Sequence, residues 1–210
     1  MAYDLEEQEQ IAQLKAFWEK WGTLVSGVAV VALLAYAGWQ GYGWYQKRQV
    51  TQAEAAFASF NSSIQNKDAD AAAKLVGLQG AFGKTNYAAL ASLQMAAVLA
   101  TDSKYDQAQA PLQWVIEHGQ PENQGAARLR LADIQMQLKQ QDVALKTLDT
   151  PVAHYATAFT AKKADIYMMV GDTAKAREVL NGALTEAKKS VPADVLTVEA
   201  LEAKLKLLPQ

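Results

Sequence analysis

The longest uninterrupted apolar stretch of the chain lies near its N-terminus. Residues 21–46 contain no charged side chain, and as a helix these 26 residues would extend about 39 Å. The hydrocarbon core of a bilayer is roughly 30 Å thick and needs about 20 apolar residues. Tryptophan and tyrosine occur at both edges of the stretch, where amphipathic rings meet the lipid headgroups. The pattern predicts one transmembrane helix over residues 21–46, preceded by an acidic segment over residues 1–20.

Two other structures fit part of this pattern. Residues 35–37, Ala-Tyr-Ala, have the small-x-small form of a signal-peptide cleavage site, and a buried hairpin of a soluble protein is the second alternative. The segment before the stretch is acidic, whereas the matching region of a signal peptide is short and basic, so we expect an uncleaved span. Its orientation stays open, because two lysines precede it and Lys47 and Arg48 follow it, a near tie in flanking positive charge.

After residue 47 the pattern changes to apolar helical periodicities separated by a recurring turn. The three clearest turns are residues 104–108, 140–144 and 172–176. Each turn ends on an alanine, with another alanine twelve residues earlier and a leucine four residues later. These residues are Ala96, Ala108 and Leu112, then Ala132, Ala144 and Leu148, and then Ala164, Ala176 and Leu180. A period of about 34 residues, with small residues where paired helices approach, is typical of tetratricopeptide (TPR) repeats.

Other signals extend this repeat in both directions. A weaker copy precedes it, with Ala72 placed 36 residues before Ala108. Gly171 suits the position just after a first helix, and aspartates at the turns are expected to cap the second helices. These aspartates are Asp102, Asp142 and Asp172. A C-terminal capping helix is predicted over residues 195–208, with leucines largely on one face at Leu196, Leu201, Leu205 and Leu208.

Two prolines make the predicted repeats irregular. Pro111 falls a few residues into a second helix and is expected to kink it or displace its start. Pro151 is expected to end the second helix of the middle repeat early. The sequence therefore predicts an all-α chain, in which a single N-terminal transmembrane helix is followed, over residues 47–210, by an irregular TPR-like helical solenoid with a C-terminal capping helix.

Composition argues against an enzyme and against nucleic-acid binding. The 210-residue chain has a net charge of −2 and lacks the basic excess that nucleic-acid binding normally requires. It has no cysteine, which excludes disulfides, thiolate zinc sites and a cysteine nucleophile. The glycine-rich motif of nucleotide-binding loops and the nucleophile-elbow motif of hydrolases do not occur in the sequence. We expect no catalytic residues, no metal site and no cofactor.

Three parts of the chain carry a resemblance to a known family. They are the acidic lead-in with its span, residues 87–97 (YAALASLQMAA) and residues 128–150 (RLRLADIQMQLKQQDVALKTLDT). Together they resemble the ancillary SecYEG translocon subunits of Gram-negative inner membranes. The resemblance implies a single-pass inner-membrane protein with a cytoplasmic N-terminus and a periplasmic TPR-like domain. It also implies association with the SecYEG translocon, with a membrane-anchored periplasmic chaperone of the prolyl-isomerase type, and with emerging secretory chains.

The combined pattern predicts a membrane-anchored scaffold that links translocating proteins to periplasmic chaperones. Two alternatives stay open: a membrane adaptor that restrains a cytoplasmic stress-response regulator, and an assembly factor for another envelope complex. A homo-oligomer also stays open, because small residues four positions apart in the span permit close helix approach. These pairs are Gly22 with Ser26 and Ala37 with Gly41.

The first helices of a TPR stack line its concave face, so the repeat alignment predicts partner-binding residues on those helices. They are Gln94, Arg130, Asp133, Met136, Gln137, Lys162, Asp165, Met168 and Met169. Methionine is flexible and suits surfaces that accept varied chains, and neighbouring charges orient a partner. The competing interpretation is that the methionines belong to the core and that the two basic–acidic combinations at i and i+3 form ion pairs within one helix.

Overall fold

The computed structural model describes residues 2–150, 152, 154–189 and 195–208. Every regular element in these residues is an α-helix, and they contain no strand, which confirms the predicted all-α class. The helices are α1 (Ala2–Asn66), α2 (Ala71–Phe82), α3 (Asn86–Thr101), α4 (Tyr105–His118), α5 (Pro121–Gln137), α6 (Gln141–Thr147), α7 (Ala156–Met169), α8 (Thr173–Lys189) and α9 (Val195–Lys206). The chain divides into two compact units, residues 1–51 and residues 52–210.

The first unit is formed by the N-terminal part of α1. Of the helices in the described residues, α1 is the one that is long and apolar enough, by length and composition, to cross a membrane. Its apolar side chains are exposed along the predicted span, for example Leu34 at 69% and Trp39 at 72%. A continuous apolar surface of this kind is unusual on a protein in water and is expected of a helix that faces lipid.

In the second unit, helices that follow one another along the chain pack as pairs. The end of α1 packs with α2, α3 with α4, α5 with α6, and α7 with α8, while α9 packs on α8. First helices of neighbouring pairs also touch, α3 with α5 and α5 with α7. Each apolar cluster is shared between neighbouring helices, so each repeat completes the core of the next, as in other helical solenoids.

The alanines and leucines predicted to line the helix seams are all buried, with at most 2% of their surface exposed. The weaker first copy is the exception, because Ala72 is exposed and Ala71 is the buried residue, at 7%. The turn before α2 also differs from the later turns. The second helices α4, α6 and α8 begin two residues after the left-handed residue of their turn, whereas α2 begins four residues after Lys67.

A residue with positive φ ends the first helix of each pair. These residues are Lys67 (58°), Ser103 (58°), Lys139 (60°) and Gly171 (84°). The next backbone N–H then reaches back to the helix it follows, as where the N–H of Lys104 donates to the carbonyl of Leu99 at 2.8 Å. This is the Schellman arrangement. The prediction for Gly171 is confirmed, while the other three turns hold side chains in a conformation that costs about 1–2 kcal/mol.

The predicted aspartate caps are correct at one turn of the three. The N–H of Lys175 donates to Oδ1 of Asp172 at 3.0 Å, at the start of α8. Asp102 instead directly follows α3, and Asp142 lies in the first turn of α6. The residue that precedes α4, α6 or α8 lies four positions before the buried alanine of that helix. Of the three predicted caps, only Asp172 has that spacing.

The prolines differ in their effect. Pro111 is buried inside α4, which begins at Tyr105, so of the two predicted effects the displaced start does not occur, and the kink stays a prediction. Helix α6 has only 7 residues and ends at Thr147, which agrees with an early end to this helix. Pro151, to which that early end was attributed, lies outside the described residues.

The predicted capping helix is present as α9. Leu201 and Leu208 are buried, and Leu205 packs against the same cluster. Leu196 is 78% exposed, so its assignment to the packed face is wrong. At about 100° per residue, Leu196 projects about 140° away from Leu201 around the helix, which places it outside the packed side.

Candidate partner-binding face

The nine residues predicted to bind partners lie on adjacent helices and are called here the first-helix face. Gln94 lies on α3, and α5 carries Arg130, Asp133, Met136 and Gln137. Helix α7 carries the other four, Lys162, Asp165, Met168 and Met169. Because α5 contacts both α3 and α7, the fold brings residues from three successive repeats onto one set of neighbouring helices.

Polar contacts on this face connect one repeat to the next. Nη1 of Arg130 donates to the backbone carbonyl of Leu93 on α3 at 3.3 Å. Nζ of Lys162 lies 2.7 Å from Oδ1 of Asp133, which joins α7 to α5. The interpretation of ion pairs within one helix is therefore wrong for Asp133, whose partner is a lysine of the following repeat.

The same arrangement continues at the end of the domain. Nζ of Lys204 on α9 lies 2.8 Å from Oδ1 of Asp165 on α7. Asp165 thus also pairs with a lysine of the element that follows along the chain and not with Lys162, three residues before it. The pairing of Lys204 with Asp165 could not be predicted from the sequence, because the two residues are 39 positions apart and spacing rules apply only within one helix.

These ion pairs contribute little stability by themselves. The side chains of Lys162 and Asp133 are 28% and 55% exposed, and those of Lys204 and Asp165 are 30% and 46% exposed. Pairs with this exposure are worth about 0–1 kcal/mol. They do affect binding at this face, because a basic group of a partner that approaches Asp133 or Asp165 must compete with a lysine that is already paired there.

The three methionines of the face have different environments. Met136 is half-buried and packs against the cluster around Ala132 and Leu148, and Met168 is half-buried against the cluster around Leu180. Met169 is 69% exposed. The core interpretation therefore fits Met136 and Met168, while the side chain of Met169 is exposed to solvent.

The remaining residues of the face are polar and more accessible. Gln137, Arg130 and Asp133 are exposed, and Gln94 is half-buried. The accessible groups of the first-helix face are thus the amide of Gln137, the guanidinium of Arg130, the carboxylate of Asp133, which is paired with a lysine, and the thioether of Met169. This combination can make hydrogen bonds and adaptable apolar contacts with an extended or irregular partner.

Comparison with known proteins identifies the family. A family model described as a tetratricopeptide repeat-like domain matches residues 15–210. A protein named ancillary SecYEG translocon subunit, from Neisseria gonorrhoeae, is 32% identical over 209 residues, which cover 98% of this chain and 98% of that protein. This chain belongs to the ancillary SecYEG translocon subunit family.

Two further relatives with the same name support this assignment to the ancillary SecYEG translocon subunits. The protein from Escherichia coli is 47% identical over 68 residues, which cover 32% of this chain and 33% of that protein. The protein from Haemophilus influenzae is 30% identical over 182 residues, which cover 84% of this chain and 88% of that protein. No solved structure matches the chain.

Membership in the ancillary SecYEG translocon subunit family, together with the TPR-like fold, indicates a scaffold or adaptor and not a catalyst. In the part of the chain that the structure describes, no three His, Asp or Glu residues are grouped so that they could hold a metal ion. The repeat fold instead provides a row of first helices whose surface residues can be varied without changing the buried seam.

Sequence reasoning also missed Arg128, a charged residue in the seam between α5 and α6. Its Nη1 donates to the carbonyl of Thr147, the last residue of α6, at 3.1 Å, and burial lowers the pKa of the guanidinium. The hydroxyl of Thr147 donates to Oε1 of the buried Gln135 at 2.8 Å. A cation at the C-terminal end of a helix is favourable because it satisfies free carbonyls and opposes the helix dipole. These residues therefore stabilise the short helix α6.

Proposed function

We propose that this protein is a membrane-anchored TPR scaffold that associates with the SecYEG translocon and links translocating proteins to periplasmic chaperones. The observation that supports the proposal most strongly is the full-length similarity to a protein named ancillary SecYEG translocon subunit. The long apolar helix α1 supports the membrane anchor. The first-helix face supports the scaffold role, because it presents accessible polar groups and Met169 on helices that pack against one another.

The topology belongs to the same proposal. Residues 1–20 lie in the cytoplasm, residues 21–46 cross the inner membrane, and residues 47–210 lie in the periplasm. Alkaline phosphatase fused after Gln210 should be active, because that enzyme folds in the periplasm, and green fluorescent protein at the same site should be dark. Bright fluorescence without phosphatase activity would reverse the topology, and a mature N-terminus at Gly38 would show that the chain is cleaved.

The translocon association is tested by copurification. The full-length chain, extracted in mild detergent, should bring down SecYEG together with a membrane-anchored periplasmic chaperone of the prolyl-isomerase type. A cytoplasmic regulator bound through residues 1–20, without SecYEG, would show the adaptor function instead. Recovery of an unrelated envelope complex would show an assembly factor.

The role of the first-helix face is tested by a variant that changes its accessible groups. Arg130→Glu with Met169→Ser reverses one charge and removes the exposed thioether, and both side chains project from the seam. Lys146→Glu with Val143→Ser, on the exposed side of α6, is the matched control. We expect the first variant to lose cross-linking to emerging secretory chains or to the chaperone, and the control to keep it.

Melting temperatures separate a binding defect from a folding defect. The control variant should melt within about 2 °C of the parent chain, since exposed substitutions usually change stability by less than about 0.5 kcal/mol. The face variant should melt within about 4 °C of the parent chain, since it also loses the hydrogen bond from Arg130 to the carbonyl of Leu93. If the face variant melts normally and retains all its partners, these residues are not the docking site. Met136→Ser with Met168→Ser is expected to lower the melting temperature instead, because both methionines pack against the core.

A further inference from the structure

The outward side of α9 and its last turn carries the most exposed large apolar side chains among the residues that the structure describes. Leu207 and Leu196 are 83% and 78% exposed, more than any other large apolar residue in the described chain, including those of the apolar span. Ala200 and Ala203 lie between them and are also exposed. The spacing i, i+4, i+7, i+11 aligns these four residues in one strip along the helix, which is called here the α9 strip.

The α9 strip lies opposite the side of the helix that packs in the fold. Leu201 and Leu208 are buried against the cluster of α7 and α8, and Leu205 packs beside them. The terminal element of a solenoid normally presents a polar outer face, because no further repeat covers it. No helix in the described residues covers the α9 strip, and an exposed apolar strip on an otherwise polar surface marks a contact site.

The charges that border the α9 strip are arranged for self-association. Glu199 and Lys206 lie on one border and Lys204 lies on the other. Lys204 is already paired with Asp165 at 2.8 Å. In the described part of the chain, neither Glu199 nor Lys206 takes part in an ion pair. One border therefore offers an acidic group about one turn from the start of α9 and a basic group at its last residue. Within the described residues, neither group has an oppositely charged partner within 4 Å.

We propose that the α9 strip packs against the same strip of a second copy of this chain, with the two α9 helices antiparallel. Under two-fold symmetry, Leu196 then faces Leu207 of the second copy, and Ala200 faces Ala203. The alanine pairs at the centre let the two helices approach closely, to about 8 Å. Glu199 faces Lys206 of the second copy, and this pair occurs twice, once on each side of the symmetry axis.

The charges also select between the two helix directions. A parallel pairing would place Glu199 against Lys204 of the second copy, and that ammonium group is held by Asp165. The antiparallel pairing uses Lys206, whose acidic neighbour one turn earlier, Glu202, is already paired with Lys188 at 2.8 Å. A pair of 12-residue helices is smaller than the stable interfaces of about 1,200–2,000 Å², so the dimer is weak in dilute solution and strengthens when both copies share one membrane.

Disulfide cross-linking in native membranes tests the proposal, and the absence of cysteine from the sequence makes the background clean. Leu196→Cys and Leu207→Cys are made in separate, differently tagged copies of the full-length chain, which are then co-expressed and mildly oxidised. The antiparallel pairing predicts a mixed dimer, in which a disulfide joins position 196 of one copy to position 207 of the other. It predicts no disulfide between two copies of the same variant, because the two equivalent positions are separated by about 16 Å along the helices. Val76→Cys, at a residue that is 67% exposed on α2, is the control for random collisions.

Charge reversal provides the second measurement. Glu199→Lys should reduce the mixed cross-link to the level of the Val76→Cys control, and the addition of Lys206→Glu should restore it. Both residues are on the exposed side of α9, and the melting temperature of each variant checks that the fold is kept. Dimers between two copies of the same cysteine variant would overturn the antiparallel geometry. Absence of any dimer, or cross-linking of the α9 strip only to a different protein, would overturn the proposal that the occupant is a second copy.

Discussion

Gly125→Ala should destabilise the protein, although alanine is the better helix former. Gly125 is buried near the start of α5, and the ring of Tyr155 lies against its backbone. A Cβ atom at position 125 would lie 2.2 Å from Cδ2 of Tyr155 and 2.4 Å from its Cε2. Because carbon atoms pack at about 3.5–4.0 Å, the ring would have to move by more than about 1 Å.

The ring of Tyr155 is not free to make that movement. Its hydroxyl donates to the carbonyl of Glu122 at 2.9 Å, and its ring centroid lies 5.8 Å from that of Phe159. Tyr155 also packs against the cluster around Ala132. Gly125→Ala therefore forces either an overpacked seam or the loss of these contacts.

The magnitude follows from two opposing effects. Replacing glycine by alanine inside a helix contributes about 1 kcal/mol in favour of folding. Overpacking costs about 1–3 kcal/mol, and loss of the Tyr155 hydrogen bond costs about 1 kcal/mol more. The expected net effect is a destabilisation of about 1–3 kcal/mol, which lowers the melting temperature of a domain of this size by about 2–12 °C.

The assay is thermal unfolding of the full-length chain in mild detergent, followed by circular dichroism. Gly182→Ala is the matched control, because Gly182 is exposed in α8 and a Cβ there would meet no atom within 4 Å. That substitution should raise the melting temperature by about 1–4 °C. In a Tyr155→Ala background, Gly125→Ala should lose its destabilising effect, since the two substitutions are coupled through one contact.

Two results would refute this reasoning. If Gly125→Ala raises the melting temperature as much as Gly182→Ala does, the ring of Tyr155 does not occupy the space beside α5. If Gly125→Ala destabilises equally with and without Tyr155, the cost arises elsewhere in the seam.

Three further predictions concern the repeats and their caps. Ala132→Trp should destabilise the protein by about 3 kcal/mol, because Ala132 is fully buried between helices, and an unchanged melting temperature would place it outside the seam. A fragment that begins at residue 47 should fold alone as an almost purely helical protein, and a circular dichroism spectrum with substantial sheet content would contradict this. The pKa of Asp172 is lowered from its ordinary value of 3.8, first by the N–H of Lys175 and then by the Lys175 side chain. The contribution of Asp172 to stability is therefore fully present above about pH 4 and is lost as the pH falls through the lowered pKa. Thermal unfolding should show that Asp172→Ala loses less stability than the parent chain on acidification from about pH 6 to about pH 2.

Features that recur locally along the chain could be predicted from the sequence. The seam alanines repeat at 36 and 32 residues, and all six are buried. Gly171 was recognised because glycine adopts positive φ at little cost, and its φ is 84°. The apolar stretch was recognised because the thickness of a bilayer sets a minimum length. In each case the physical constraint concerns residues that are close in sequence or regularly spaced, so the amino-acid pattern alone is enough to predict the feature.

The helix-start register was only partly predictable. Lys67, Ser103 and Lys139 adopt positive φ although their side chains do not favour it. The Schellman hydrogen bonds and the packing of the next helix impose this conformation, and neither is visible in a single residue type. The same limitation misplaced Asp102, whose side chain suits a cap but whose position precedes the one that α4 requires.

The placement of the candidate site on first helices followed from the repeat, but its chemistry was decided by packing between repeats. Asp133 lies three residues from Arg130, yet it pairs with Lys162, because α7 packs beside α5 and brings its lysine within 2.7 Å. Met168 and Met169 are adjacent in sequence, but one packs into the core and the other is exposed, because the contact side of α7 is set by α8 and α9. The sequence of such a helix does not show which of its sides is packed. The neighbouring helices determine which side remains available to a partner.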